Sequence, residues 1–258
     1  MGLMFDSFFA RRVCSGRSYY DYYKVYFSTN EKLDLLLDSI DFKDKEVLSV
    51  LASTDQYLKI KKLGAKKVET FDINILTYYY CFIRLWSIKY FGMLYPVFIV
   101  ENDYDKFNDL LSKVDASSDD EKKALCFWKK LLNNKVDFSK MFHFYKKNLL
   151  SDDAESFMEI AKEKVDFSKF DLTKKQKFNK KYDIVFISNI LEWTNGDCVS
   201  TSKIENNLLS LLRDNGVVLC SKLNYVFEYN DLHEQSVFMD NFEYCDLGEN
   251  VGYSFVKK

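Results

Sequence analysis

Residues 46 to 91 switch twice between two hydrophobic periods in a fixed order, and that order restricts the fold more than any other feature. "EVLSVLA" (46 to 52) is a short apolar run with polar residues on both sides, the pattern of a buried strand. "DQYLKIKKLG" (55 to 64) sets Leu58, Ile60 and Leu63 on a short helix that Gly64 stops. "KVETFDIN" (67 to 74) reads as a second strand ending at Asp72, and a long amphipathic helix follows from Ile75 to about Phe91. Strand, helix, strand, helix at this spacing belongs to a parallel α/β sheet.

The pattern returns later in the chain. "YDIVFISNILEW" (182 to 193) is a strongly apolar strand that breaks into Ser188 and Asn189. "NNLLSLLRDNG" (206 to 216) is expected as a helix closed by Gly216, and "VVLCSKL" (217 to 223) as the next strand. A helix near "HEQSVFMDN" and an antiparallel pair, "FEYCDLG" with "GYSFVKK" joined by "GEN", complete the expected sheet. The fold class expected is α/β, a Rossmann-like doubly wound, mostly parallel sheet with a helical insertion. The division expected is an aromatic and helical lead-in over 1–45, then one domain over 46–258, interrupted by mainly helical chain at about 104–164. In the lead-in, "STNEKL" offers a helix N-cap with an acid in the first turn. "VDFSK" occurs at 136 and again at 165, too little to establish a repeat.

A length of 258 residues suffices for one large domain, and a net charge of −2 argues against a nucleic-acid partner held mainly by phosphate neutralisation. No apolar run is long enough to span a bilayer. The segment before residue 19 lacks the order of a signal peptide and reads as an amphipathic stretch that docks on the protein, with a peripheral membrane contact as the alternative. Six scattered cysteines without a C-x-x-C pair suit reduced, mostly buried thiols and a cytoplasmic location. Two distant histidines give no metal-ligand spacing, so no metal is expected.

The turn "LASTDQ" (51 to 56) follows the first strand at the place where such sheets bind ligands. It has no glycine, although close approach of backbone to a pyrophosphate depends on glycine. Its helix begins with Asp55, which repels a phosphate and attracts a cation. Asp72, closing the second strand, suits the ribose hydroxyls of a nucleoside. A nucleoside without phosphates and with a positive end fits these features, as S-adenosylmethionine does and NAD and FAD do not. The competing reading of Asp55 is a plain helix cap.

These residues resemble class I S-adenosylmethionine-dependent transferases, and more narrowly the S-adenosylmethionine:diacylglycerol 3-amino-3-carboxypropyltransferases of betaine-lipid synthesis. Leu51 to Gln56 match that family's A-S-G-G-D-N turn, and Asp72 to Asn74 its D-L-N motif. "SNILEW" (188 to 193) resembles its S-N motif, and "LLRDNGVVL" its L-x-P-G-G segment. Ser53 and Thr54 stand where the family has two glycines, and Asp214 and Asn215 replace its proline and first glycine. The resemblance covers most of residues 26 to 225 and implies the class I methyltransferase fold with S-adenosylmethionine as cofactor.

It also implies roles. Asp72 would hold the ribose, Asn74 would order the loop beside adenine, and Ile73 between them would bind the cofactor. Ala52, Ser53, Thr54 and Asp55 would face the methionine part. Asp171 would meet the adenine amino group, or else serve as a solvated loop acid. Ser188 and Asn189 would line the floor between cofactor and acceptor, or else cap the strand end. Tyr26 would reach over the cofactor toward substrate, or else simply pack. No catalytic residue is named by this pattern, because a sulfonium supplies its own leaving group and needs mainly proximity and a nucleophile. Three accounts follow: transfer of the 3-amino-3-carboxypropyl group to an acceptor, small molecule or lipid; transfer of the methyl group; or a non-catalytic binding protein on the same fold. Neither the acceptor nor the oligomeric state is legible.

Overall fold

The computed structural model describes residues 25–29, 31–143, 149–175, 177–191, 198–221, 241–247 and 251–258. The chain forms two compact units, one comprising residues 1–29, 51–55 and 74–164, the other residues 30–50, 56–73 and 165–258.

In chain order the strands are β1 (Val25–Tyr26), β2 (Glu46–Val50), β3 (Lys67–Asp72), β4 (Phe142–His143), β5 (Asp166–Lys169), β6 (Tyr182–Ser188), β7 (Leu212–Ser221), β8 (Phe242–Asp246) and β9 (Gly252–Lys257). The α-helices are α1 (Leu33–Asp38), α2 (Asp55–Lys62), α3 (Ile75–Phe91), α4 (Val97–Val100), α5 (Tyr104–Lys113), α6 (Asp119–Asn133) and α7 (Cys198–Leu211).

The second unit is built on a sheet ordered β5-β3-β2-β6-β7-β9-β8. β5, β3, β2, β6 and β7 pair in parallel, and β9 runs antiparallel to both β7 and β8. The order turns back between β2 and β6, which makes this the Rossmann-like, doubly wound arrangement expected of the class I methyltransferase fold. Val47, Leu48 and Val50 are buried on β2, as are Ile184 to Ile187 on β6. Runs of that kind, apolar on both faces, are what interior parallel strands require.

Two local expectations change here. The helix expected over 206–216 covers Cys198–Leu211 instead, and β7 starts at Leu212. Gly216 is therefore a strand residue, not a helix stop. Tyr182 pairs with Leu212 and Ile184 with Val217, so residues 213–216 bulge out, with Asn215 at φ +60°. Arg213 holds the bulge by donating to Asp183 and Glu46, each at 2.8 Å. The cap expected from "STNEKL" is also used differently. Helix α1 begins at Leu33 after Lys32, with no side-chain cap, while Thr29 and Glu31 bond elsewhere. The helix expected near "HEQSVFMDN", except Asn241, and the "GEN" turn lie outside the described residues.

In the first unit, α3 is buried from Leu76 to Ile88. Asn74 caps it by accepting from Leu76 N at 3.0 Å, and Gly92, at φ +62°, ends it. Helices α5 and α6 pack on it. The α6 helix starts with a capping box between Ser118 and Glu121, and the Trp128 indole on it donates to Tyr79 O at 2.9 Å. Trp128, Phe107 and Phe138 form an aromatic cluster with ring centroids 5.2 to 6.2 Å apart. β1 and β4 form a two-stranded parallel sheet.

The two "VDFSK" copies adopt different structures. Phe138–Met141 is a 3-10 turn capped by Asp137, whereas Asp166–Lys169 is edge strand β5. Cys81 and Cys220 are buried, but Cys126 and Cys245 are exposed, so the expectation of mostly buried thiols holds for half of these four.

Candidate functional site

The turn after β2 reaches the conformation of a glycine turn without glycine. Ala52 has φ +42° and Thr54 φ +76°, both in the left-handed region. A β-branched residue rarely adopts it, and the strain is on the order of 1–2 kcal/mol. The turn closes through Thr54 N donating to Leu51 O at 2.8 Å.

What holds it closed is Asp55. Its side chain is fully buried, and one oxygen accepts from Arg84 Nη2 at 2.8 Å and Tyr95 OH at 2.9 Å. The other accepts from Thr29 N and Ser53 Oγ, both at 2.8 Å. Four donors match the acceptor capacity of a carboxylate. Arg84 in turn donates to Ser53 O and Phe27 O at 3.1 Å each, and its guanidinium lies 4.3 Å from the Tyr95 ring centre. Tyr95 OH accepts from Leu150 N at 2.9 Å, and Tyr80 OH donates to Phe27 O at 2.9 Å. Burial raises the Tyr80 and Tyr95 phenols and pushes the Cys81 thiol up to about 12, so all three stay protonated at neutral pH. Asp55 was expected to face a methionine group. With both oxygens occupied by the protein, it serves instead to pin the turn to Thr29, α3 and the chain after it. Arg84 was legible only as a cation in the middle of the apolar run "YYYCFIRLWSI", a residue type that is seldom buried without a partner.

In the second unit, Asp72 and Ile73 stand at the carboxyl end of β3, Asp171 beyond that of β5, and Ser188 and Asn189 at that of β6. Asp72 is half-buried at the last β3–β5 pair, opposite Lys169, and Ile73 beyond it is 40% exposed. Phe71 stacks on Phe170, with centroids 4.5 Å apart and planes 10° from parallel. Asp171 is half-buried and accepts from Thr173 N at 2.9 Å and Thr173 Oγ1 at 2.6 Å, while Lys174 lies 3.1 Å away. Burial raises its pKa, but those bonds outweigh burial and hold the carboxyl below its ordinary range.

Ser188 ends β6 at φ +55° and is 5% exposed. Its hydroxyl meets a residue that the sequence reading had placed in a helix turn, Glu31. This carboxylate, 2% exposed, accepts from Ser188 Oγ, from Ser221 Oγ at 2.5 Å and from Gln56 Nε2 at 2.9 Å. Half-buried Asn189 lies beside it, its Oδ1 3.2 Å from Ser188 Oγ. Tyr26, in the first unit, pairs with His143 in the β1–β4 ladder, the rings 5.3 Å apart. Among the described residues there is no group of three metal-ligating side chains, and no helix long and apolar enough to cross a membrane.

No family model matches the chain, and no curated protein sequence does. Solved structures that resemble it include a TehB-like SAM-dependent methyltransferase from Corynebacterium glutamicum (11% identity, 89% of each chain covered, TM-score 0.43). Another is the N-methyltransferase NodS from Bradyrhizobium japonicum in complex with S-adenosyl-L-homocysteine (9% identity, 88% of this chain and 83% of that one, TM-score 0.41). A third is the ribosomal protein L11 methylase from Lactobacillus delbrueckii subsp. bulgaricus (14% identity, 91% and 81% covered, TM-score 0.41). With likenesses this distant, the fold rests on the strand order itself.

Proposed function

We propose that the chain is an S-adenosylmethionine-dependent transferase acting on a small-molecule or lipid acceptor. The observation that carries this reading is Asp72: a half-buried acid at the carboxyl end of β3, in a sheet whose order reverses at the next strand, β2. Ligands of open α/β sheets bind beside such a reversal, and an acid there accepts from both ribose hydroxyls.

The roles of the residues follow the motif matches. Exposed Ile73 offers an apolar face to adenine, and Asn74, fixed as the cap of α3, orders the chain behind it. The backbone of Ala52, Ser53 and Thr54, in the left-handed turn just described, is assigned to the methionine part. Asp55 keeps that turn closed. Asp171 is assigned to the adenine amino group through whatever acceptor capacity Thr173 and Lys174 leave. Ser188 and Asn189 line the acceptor side. The cofactor supplies an electrophilic carbon on a positively charged sulfur; the protein aligns it and shields it from water.

The 3-amino-3-carboxypropyl group is the one implied by the motif matches at 51–56, 72–74 and 188–193, and methyl transfer is the alternative. The nucleoside product separates them. Incubation with S-adenosylmethionine and a fractionated metabolite and lipid extract yields 5′-methylthioadenosine in the first case and S-adenosylhomocysteine in the second. If neither product forms above the blank although the cofactor binds, the non-catalytic account replaces both.

A further inference from the structure

Arg84 and Tyr95 take no part in the cofactor contacts just described, yet both bear on the turn assigned to the methionine part. That turn is left-handed at Ala52 and Thr54, a backbone that glycine adopts without strain. Between those two residues Ser53 is gripped twice. Its carbonyl accepts from Arg84 Nη1 at 3.1 Å, and its hydroxyl donates to one Asp55 oxygen at 2.8 Å. The other Asp55 oxygen accepts from Arg84 Nη2 at 2.8 Å and from Tyr95 OH at 2.9 Å. Both outer residues stand on stiff chain. Arg84 is fully buried in the middle of α3, and Tyr95 precedes Pro96, the one proline of the sequence, whose ring restricts the residue before it. The pairing also has an electrostatic effect. An unpaired carboxylate opening α2 would repel a ligand carboxylate, and Arg84 cancels its charge.

We propose that Arg84 and Tyr95 are positioning residues of the transferase, holding Ala52 and Thr54 in the left-handed region so that the turn is set for the amino acid tail of the cofactor. The inference rests on the transferase reading, in which the backbone of residues 52–54 takes the methionine part. An ion pair and a phenol thus do from outside the turn what glycine does from within it. A ligand without the amino acid tail is therefore indifferent to the clasp. The clasp also becomes dispensable once glycine stands at positions 52 and 54, because glycine reaches the same backbone unaided.

The test is calorimetric titration of the full chain with two probes, S-adenosylhomocysteine, which carries the amino acid tail, and 5′-methylthioadenosine, which lacks it. The wild type is expected to bind the first at least about tenfold more tightly than the second. Tyr95→Phe removes the hydroxyl from Asp55 and keeps the ring beside Arg84. It is expected to weaken S-adenosylhomocysteine about three- to tenfold and to leave 5′-methylthioadenosine within about twofold. Adding Ala52→Gly and Thr54→Gly to Tyr95→Phe is expected to return S-adenosylhomocysteine to within about twofold of the wild type. A merely structural loss would weaken both probes alike and would not be restored by glycine; either result overturns the proposal. It is overturned as well if Tyr95→Phe binds both probes as the wild type does, or if the wild type binds the two equally, since the turn would then not read the tail. Should a Tyr95 variant fail to fold, Ser53→Ala, which removes the other hydroxyl donor to Asp55, takes its place with the same expected pattern. A wild type that binds neither probe defeats the transferase reading and this inference with it, whereas binding that ignores the clasp defeats the inference alone.

Discussion

Asp55 and Asp72 both lie in strand-to-helix passages, Asp55 opening α2 and Asp72 closing β3, yet the structure treats them oppositely. Asp55 is fully buried and takes four hydrogen bonds from Arg84, Tyr95, Thr29 and Ser53. Asp72 is half-buried at a strand end with apolar, exposed Ile73 after it. The first is an internal fastener, and the second is the acid assigned to the ribose in the proposed function. The difference teaches that an acid in a motif position is not thereby a ligand-binding acid. Its partners decide.

Four substitutions can break or sharpen this contrast. The largest effect belongs to Asp55→Ala, which strands the buried Arg84 guanidinium. Breaking a buried pair from one side costs about 3–5 kcal/mol, and urea unfolding should show a loss of that order; under about 1 kcal/mol would mean that Asp55 fastens nothing. Next is Asp72→Ala, whose effect should appear only with cofactor. S-adenosylmethionine at about 100 times its dissociation constant adds about 2.7 kcal/mol to the wild type, roughly 5–10 °C for a chain of this size. The variant should melt near the unliganded wild type and gain nothing from the cofactor. Third, Tyr95→Phe removes one donor to Asp55 and the acceptor of Leu150 N–H, so about 1–2 kcal/mol should be lost in the same unfolding experiment. The smallest is Thr54→Gly. Relief of the left-handed strain is offset by the backbone entropy of glycine, and the net change should be a gain of less than about 1 kcal/mol in denaturant midpoint. A large loss would mean that the threonine side chain is needed where it lies.

Much of this was legible in the sequence for a physical reason. The apolar runs at 46–50 and 182–188 are buried on both faces, so their composition alone declares parallel strands. The bounds of α3, Ile75 and Phe91, were equally plain, set by Asn74 and Gly92. Failures occurred where distant residues decide. Thr29 and Glu31 look like helix-cap chemistry locally, but Asp55, Gln56, Ser188 and Ser221 claim them from 25 to 190 positions away. The two "VDFSK" copies make the same point. One is capped by its own Asp137 into a 3-10 turn, while the other is drawn into a ladder with β3. Positive φ at Ala52 and Thr54 had no local signal either, since the residues there are those least expected to adopt it. A clasp assembled from Asp55, Arg84 and Tyr95 imposes it, and only the three-dimensional structure brings those together.

The most direct test of the central claim is calorimetric titration of S-adenosylmethionine into the wild-type chain and into Asp72→Ala, with NAD as the control ligand. The account predicts saturable binding of S-adenosylmethionine to the wild type, at least about tenfold weaker binding to a variant that unfolds at the wild-type denaturant concentration, and no heat with NAD. Equal affinity in the two proteins, or binding of NAD in place of S-adenosylmethionine, would contradict it.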